Sequence, residues 1–209
     1  MNKHIPLQYV NNNTADEVPT VPGHQLYSKV VSQQEADIVK SLKKVCIFSS
    51  SITKDIHVDR FNDKFSGERV HFRKFHGGKV RHFDSYIPPH MKEISPDTAV
   101  IMAGGNDLSE RKSTVQEVLN NIIEAGVTCK KGGASKVYIC SILPRCDMEY
   151  MRMRKELNKL LEGLCEVYCF DFIDCDAINL KEHVCDDGVH LNHPGANKLQ
   201  DILLEHLNA

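Results

Sequence analysis

The sequence contains no tryptophan, and aromatic residues make up only 7% of its 209 positions. No apolar run approaches the ~20 residues of a membrane span; the longer ones, such as Val45 to Phe48 and Ala99 to Ala103, are strand-sized. The opening residues, Met1 to Pro6, lack the apolar stretch of a secretory signal, so a cytoplasmic setting is expected. Charge of one sign is also missing. The 26 Lys and Arg face 28 Asp and Glu, a formal net charge of −2, so no bulk positive field is available for non-specific nucleic-acid binding. There is no Gly-x-Ser-x-Gly elbow and no Walker-type Gly-Lys-Ser/Thr. An ordinary α/β-hydrolase is thereby disfavoured, and a phosphate-cradling NTPase is unsupported.

What is present suits a single domain. Hydrophobic residues reach 41% and charged residues 26%, enough for a core. The eight cysteines include no Cys-x-x-Cys pair. Cys46, Cys140 and Cys169 fall in apolar, strand-like runs where a free thiol behaves as a small hydrophobe, so reduced cysteines are expected. The alternative is a zinc site drawn from Cys165, Cys169, Cys175, Cys185 and His183, but the spacings are irregular.

Residues 1–28 read as a flexible tail, with an Asn run and three prolines before Gly23. The domain is expected over residues 29–209. A helix is predicted over Gln33 to Lys44, and from there apolar strands and amphipathic helices alternate about five times. Strands are predicted at Val45–Phe48, from Val70 to about Lys74, at Thr98–Ala103, at Val137–Cys140 and at Val167–Phe172. Helices are predicted from Ile52 to Phe65, around Pro88-Pro89 with a break or bend, over Val115–Ala125, Met148–Leu164 and Pro194–Leu207. Continuous apolar strands alternating with helices indicate a three-layer α/β/α domain with a five-stranded parallel, flavodoxin-like sheet, order 2-1-3-4-5.

Such sheets bind ligands beyond the carboxyl ends of their strands. After the first predicted strand comes Ser49-Ser50-Ser51; after the second, His76-Gly77-Gly78; after the third, Gly104-Gly105-Asn106-Asp107. Beyond the fifth lies Asp186-Asp187-Gly188-Val189-His190. Each fragment alone reads as a cap, a turn or a surface histidine. Together they supply a serine hydrolase with a nucleophile, a base, a carboxylate to orient that base, and oxyanion donors. Ser51 or Ser50 would attack, His190 would take the proton, and Asp187 would fix the imidazole. The N–H groups of Ser51 and of Gly77 or Gly78, with the Asn106 amide, would meet the oxyanion.

The blocks Phe48-Ser49-Ser50-Ser51-Ile52-Thr53, Gly77, Gly104-Gly105-Asn106-Asp107 and Asp187-Gly188-Val189-His190 resemble those of the SGNH (GDSL-type) hydrolases, in the same order over roughly residues 45 to 207. The resemblance implies the SGNH hydrolase fold and a serine esterase acting through an acyl-serine intermediate, with no metal and no cofactor. It aligns Ser51 as the nucleophile. One departure is clear: the family's Gly-Asp-Ser-x-Thr is here Ser49-Ser50-Ser51-Ile52-Thr53. The layout is also similar to the esterase domain of the first open reading frame protein of LINE-type (non-LTR) retrotransposons. That similarity implies acetyl or short acyl esters, including lipid-like ones, and RNA association only through other parts of a parent protein.

Two further expectations concern binding. The segment from Arg145 to Met153 should begin on the active-site edge, with Met148 and Met151 as an adaptable lip over an acyl or lipid-like substrate and Arg145 holding an anionic group. Met153 suits the core instead. The rival function is an RNA- or protein-binding module on a degenerate SGNH-like fold, using a basic stripe of Arg60, Arg69, Arg73, Lys74, Lys79, Arg81 and His82.

Overall fold

A computed structural model describes residues 43–62 and 68–208. The expected tail, and the expected helix from Gln33 as far as residue 42, lie outside the described residues. Lys43 and Lys44, placed at the end of that helix, instead open β1 (Lys43–Ser49). Lys44 is held there on both backbone sides, its N–H donating to Asp97 Oδ2 at 2.9 Å and its carbonyl accepting from Asp97 N at 2.9 Å.

Four more strands follow: β2 (Glu68–Lys74), β3 (Thr98–Met102), β4 (Lys136–Cys140) and β5 (Asp171–Ile173). They form one sheet in the order β2-β1-β3-β4-β5, and every pairing is parallel. All five carboxyl ends therefore face one edge. The helices are α1 (Val58–Asn62), α2 (Phe83–Ile94), α3 (Gly105–Glu110), α4 (Val115–Lys131), α5 (Met148–Val167), α6 (Leu180–His183) and α7 (His193–Leu207).

Strand alternation divides the core in two. Cys46, Phe48, Ala99, Ile101, Val137 and Ile139 face α2, α4 and α5. Val45, Ile47, Val100, Met102, Tyr138 and Cys140 face α1 and α7. Both faces of the sheet are covered, which is why its strands read as unbroken apolar runs. The helices start at sequence-encoded caps. Thr114 and Glu117 form a reciprocal capping box on α4, Asp147 accepts from Tyr150 N on α5, and Asn192 accepts from Gly195 N on α7.

Several expectations are corrected. Over its described residues, the helix predicted from Ile52 to Phe65 is a single 3₁₀ turn at Ser51–Thr53 and then α1; residues 63–65 of that prediction lie outside the described residues. Pro88 and Pro89 do not break α2, which runs through both. The prolines and the preceding Asp84 and Ser85, whose carbonyls lose their helical partners, lie on the exposed face where water serves. The fifth strand begins later than Val167, because α5 extends to it along the buried row Leu157, Leu161, Cys165. Cys169 is accordingly an exposed turn residue with φ 54°, not a strand hydrophobe. The short α3 and α6 were not predicted: the first reads as a Gly-Gly-Asn-Asp turn, the second as loop. Among the described residues no helix is long and apolar enough to cross a membrane.

Candidate active site

At the end of β1 the three serines have different fates. Ser49 is fully buried, and its hydroxyl bonds that of Thr53 at 2.5 Å across the 3₁₀ turn. Ser50 is also buried; its N–H still belongs to the sheet, donating to Met102 O at 3.3 Å, and its hydroxyl caps nothing. Ser51 is half-buried and opens the 3₁₀ turn, where its N–H has no backbone acceptor among the described residues.

The turn after β2 sits beside it, tied through Phe75 N to Ser49 O at 2.8 Å. Gly77 adopts φ +65°, a conformation a side chain would strain. The N–H of Gly78 closes the turn on Phe75 O at 2.8 Å, whereas that of Gly77 has no backbone acceptor among the described residues. Two successive residues of α3 grip this turn: Asn106 Nδ2 donates to Gly78 O at 3.0 Å, and Asp107 Oδ2 accepts from Val80 N at 2.9 Å. Burial pushes the Asp107 carboxyl above its ordinary value, and its Oδ1 has no hydrogen-bond partner among the described residues.

The remaining parts arrive on the loop between α6 and α7. Val184 and Leu191 form an antiparallel bridge, Cys185 N donates to His190 O at 2.8 Å, and Gly188 N donates to Cys185 O at 2.9 Å. Cys146 N, just after β4, donates to Gly188 O at 2.7 Å and brings the loop to the carboxyl edge of the sheet. There His190 Nδ1 meets Asp187 Oδ2 at 2.8 Å. Asp187 Oδ1 accepts from Val189 N at 2.8 Å and from His190 N at 2.9 Å. The His190 backbone N–H foremost, then its ring, then the Val189 N–H hold the Asp187 carboxyl well below the usual carboxylate range. A carboxylate only accepts, so Nδ1 carries the proton and Nε2 presents a lone pair. No hydrogen bond joins Ser51 Oγ to His190 among the described residues.

Two cavities open on this edge. The first is lined by Ser50, rather than Ser51, together with Ile52, Met102, Ile142 and Leu143. The second is lined by Asp187, Gly188, Val189, Cys146 and Arg111. Arg145 and Tyr150 line both. Arg145 is buried and bonded to Asn106 and Ser109. Met148 is 90% exposed and Met151 packs partly buried on the core; neither lines either cavity. Met153 is buried in the core.

The five residues of the zinc alternative do not converge: among the described residues no group of three or more His, Cys, Asp or Glu side chains is placed to hold a metal ion. The basic stripe is largely paired. Arg73 bonds Glu93 and His90, Lys79 and Arg81 reach Glu110, and Lys74 donates to two backbone carbonyls. The side chains of Arg60 and Arg69 lie outside the described residues.

A family model, the GDSL-like lipase/acylhydrolase family, matches residues 51–198, most of the chain and every element of this site except Ser49 and Ser50. The chain belongs to the GDSL-like lipase/acylhydrolase family. Solved structures agree on the fold. A GDSL-like lipase from Bacteroides thetaiotaomicron is 21% identical, with 87% of this chain and 97% of that one covered at a TM-score of 0.67. A lipase/acylhydrolase from Enterococcus faecalis is 19% identical over 79% and 95%, also at 0.67. A carbohydrate acetylesterase from Sinorhizobium meliloti is 16% identical over 79% and 98%, at 0.64. No curated protein matches the chain.

At the positions of the family's Gly-Asp, Ser49 bonds the Thr53 hydroxyl and the Ser50 hydroxyl makes no cap bond. The residue to which the sequence alone gave no role is Asp107; its signal was the single acidic position of Gly104-Gly105-Asn106-Asp107.

Proposed function

We propose that this acylhydrolase-family chain is a serine esterase of the carboxylic ester class, acting on acetyl or short acyl esters, including lipid-like ones. The observation that carries the reading is the Asp187–His190 pair, which leaves Nε2 as a base on the edge where the half-buried Ser51 opens the 3₁₀ turn. Ser51 Oγ attacks the ester carbonyl while Nε2 takes its proton. The oxyanion accepts from the free N–H groups of Ser51 and Gly77 and from Asn106 Nδ2. Collapse expels the alcohol, protonated by His190, and water then attacks the acyl-serine by the same route in reverse. Gly77 is chosen over Gly78 because the Gly78 N–H is already engaged. Ser51 is chosen over Ser50 because Ser50 is buried and its N–H belongs to the sheet.

Acyl contact is assigned to Ile52, Met102, Ile142 and Leu143, which wall the first cavity, rather than to the lip of Met148 and Met151. The burial of Cys46, Cys129, Cys140, Cys165 and Cys175 as small hydrophobes suits the reduced thiols of a cytoplasmic setting. The sequence resemblance supports a parent protein of the LINE-type retrotransposon class, with RNA bound by its other segments. The rival RNA-binding reading is weakened by the carboxylate partners of Arg73, Lys79 and Arg81. The test is turnover of a chromogenic acetyl ester by the wild-type chain and by Ser51→Ala. Hydrolysis by the first and loss of several orders of magnitude in the second is expected; equal rates would refute the assignment.

A further inference from the structure

Arg145 is a buried cation without a carboxylate. It is 8% exposed, and among the described residues it makes no ion pair. Its two terminal nitrogens are instead given to neutral oxygens: Nη2 donates to Asn106 Oδ1 at 2.8 Å, and Nη1 to Ser109 Oγ at 2.7 Å. Burying a guanidinium without a counter-charge is costly, and hydrogen bonds to neutral oxygens offset that cost only in part.

The surroundings fix that position. The guanidinium stands over the Tyr150 ring at 5.4 Å, and the Tyr150 hydroxyl is anchored on Leu143 O at 2.9 Å. Residue 105 is glycine where a Cβ would lie 3.0 Å from the Tyr150 hydroxyl and 3.1 Å from Arg145 Nη2. The arginine is thus seated directly against the Asn106 backbone neighbour, on the wall shared by the two cavities.

A side-chain amide looks nearly the same in shape when its oxygen and nitrogen are exchanged, so something must choose between the two orientations. Here both neighbours are unambiguous. A guanidinium can only donate, and the Gly78 carbonyl on the other side can only accept. The observed orientation satisfies both. The exchanged one would set N–H against N–H and oxygen against oxygen, and would turn the negative end of the amide dipole toward the reacting carbonyl. The same contact places a full positive charge on the far end of the amide, drawing electron density from Nδ2 and strengthening its second N–H as a donor.

We propose that Arg145 is a positioning residue for the oxyanion donor Asn106, acting through Oδ1 to lock and polarise the amide, rather than a holder of substrate anions. The proposal rests on the serine-esterase reading. It requires that Arg145 act in the transition state and through Asn106 alone.

The experiment is a double-mutant cycle of Arg145→Met and Asn106→Ala with a chromogenic acetyl ester. Rates are normalised to sites titrated by a fluorophosphonate, so that a misfolded fraction does not count. Arg145→Met should lower kcat by about 10²-fold, near the loss from removing an oxyanion donor outright, with KM changed less than about twofold. The double variant should be no more than a few-fold slower than Asn106→Ala, because the arginine has nothing left to position. Arg145→Lys keeps the charge and one donor. It should lose only part of that activity and covers the case in which the methionine variant does not fold. Multiplying losses in the double variant, or an unchanged kcat with a raised KM, would overturn the proposal while leaving the esterase reading intact. Failure of the wild-type chain to take up the fluorophosphonate would instead remove the reading on which it rests.

Discussion

Asp107 accepts the backbone N–H of Val80 at 2.9 Å from a position only 1% exposed, so a side chain at the start of α3 anchors the segment that follows the glycine turn after β2. Replacing it by alanine leaves the Val80 N–H buried without an acceptor. Asp107→Ala should cost about 1–3 kcal/mol in urea unfolding and lower kcat by loosening Gly77. The pH dependence has a definite sign. Burial raises the Asp107 carboxyl in the folded state, so its contribution to stability is complete below the unfolded value and is lost as pH rises through the folded one. The stability gap between wild type and Asp107→Ala should therefore widen from neutral pH toward about pH 4. A gap that narrows on acidification would contradict the assignment.

Asp187 divides its oxygens between the loop backbone and the imidazole, which makes the amide variant informative. In Asp187→Asn the oxygen can still accept from Val189 and His190, while the NH₂ faces Nδ1 and forces the proton onto Nε2. The fold should hold and kcat should fall by about 10³–10⁴-fold, the effect of a wrong tautomer. Circular dichroism and turnover together check this.

The wild-type rate should fall on acidification, because a protonated Nε2 has no lone pair with which to take the Ser51 proton. Asp187 is held well below the usual carboxylate range, so it stays ionised through that interval. Its contribution to stability, present above the unfolded value and lost only as pH falls through the folded one, does not enter. A rate that is flat between about pH 5 and pH 8 would argue against a histidine base.

Acyl preference should follow the first cavity. Ile52→Trp narrows it at the half-buried wall next to Ser51 and should depress hexanoyl ester turnover at least tenfold more than acetyl ester turnover. Met148→Ser, on a side chain 90% exposed, should leave the ratio of the two unchanged. The reverse pattern would restore the methionine lip.

The sheet was legible because its strands are buried on both faces, and short apolar runs such as Val45–Phe48 and Thr98–Ala103 have no other use in a chain of this size. The 2-1-3-4-5 order was the default for five such strands, and the observed pairings match it. Less legible were features set by tertiary contact. The double proline in α2 is tolerated only because Asp84 and Ser85 face solvent, and α5 carries on through Val167 because Cys165 still finds the core. At the site, residue types and strand ends could be read from sequence, and the Asp187–His190 pair is within reach of its own spacing. Which of three adjacent serines is half-exposed, and which of two glycines keeps a free N–H, depends on hydrogen bonds to Met102 and Phe75 that no spacing encodes. Arg145 shows the same limit: its charge suggested a ligand, whereas its burial beside Asn106 gives it a protein partner.

The central claim, that Ser51 is the nucleophile of a serine esterase, is tested most directly by fluorophosphonate labelling of the wild-type chain followed by mass-spectrometric mapping of the modified residue. One adduct is expected, on Ser51, absent from Ser51→Ala and from chain pre-treated with an irreversible serine-directed inhibitor. An adduct on Ser50, or no adduct at all on folded protein, would contradict it.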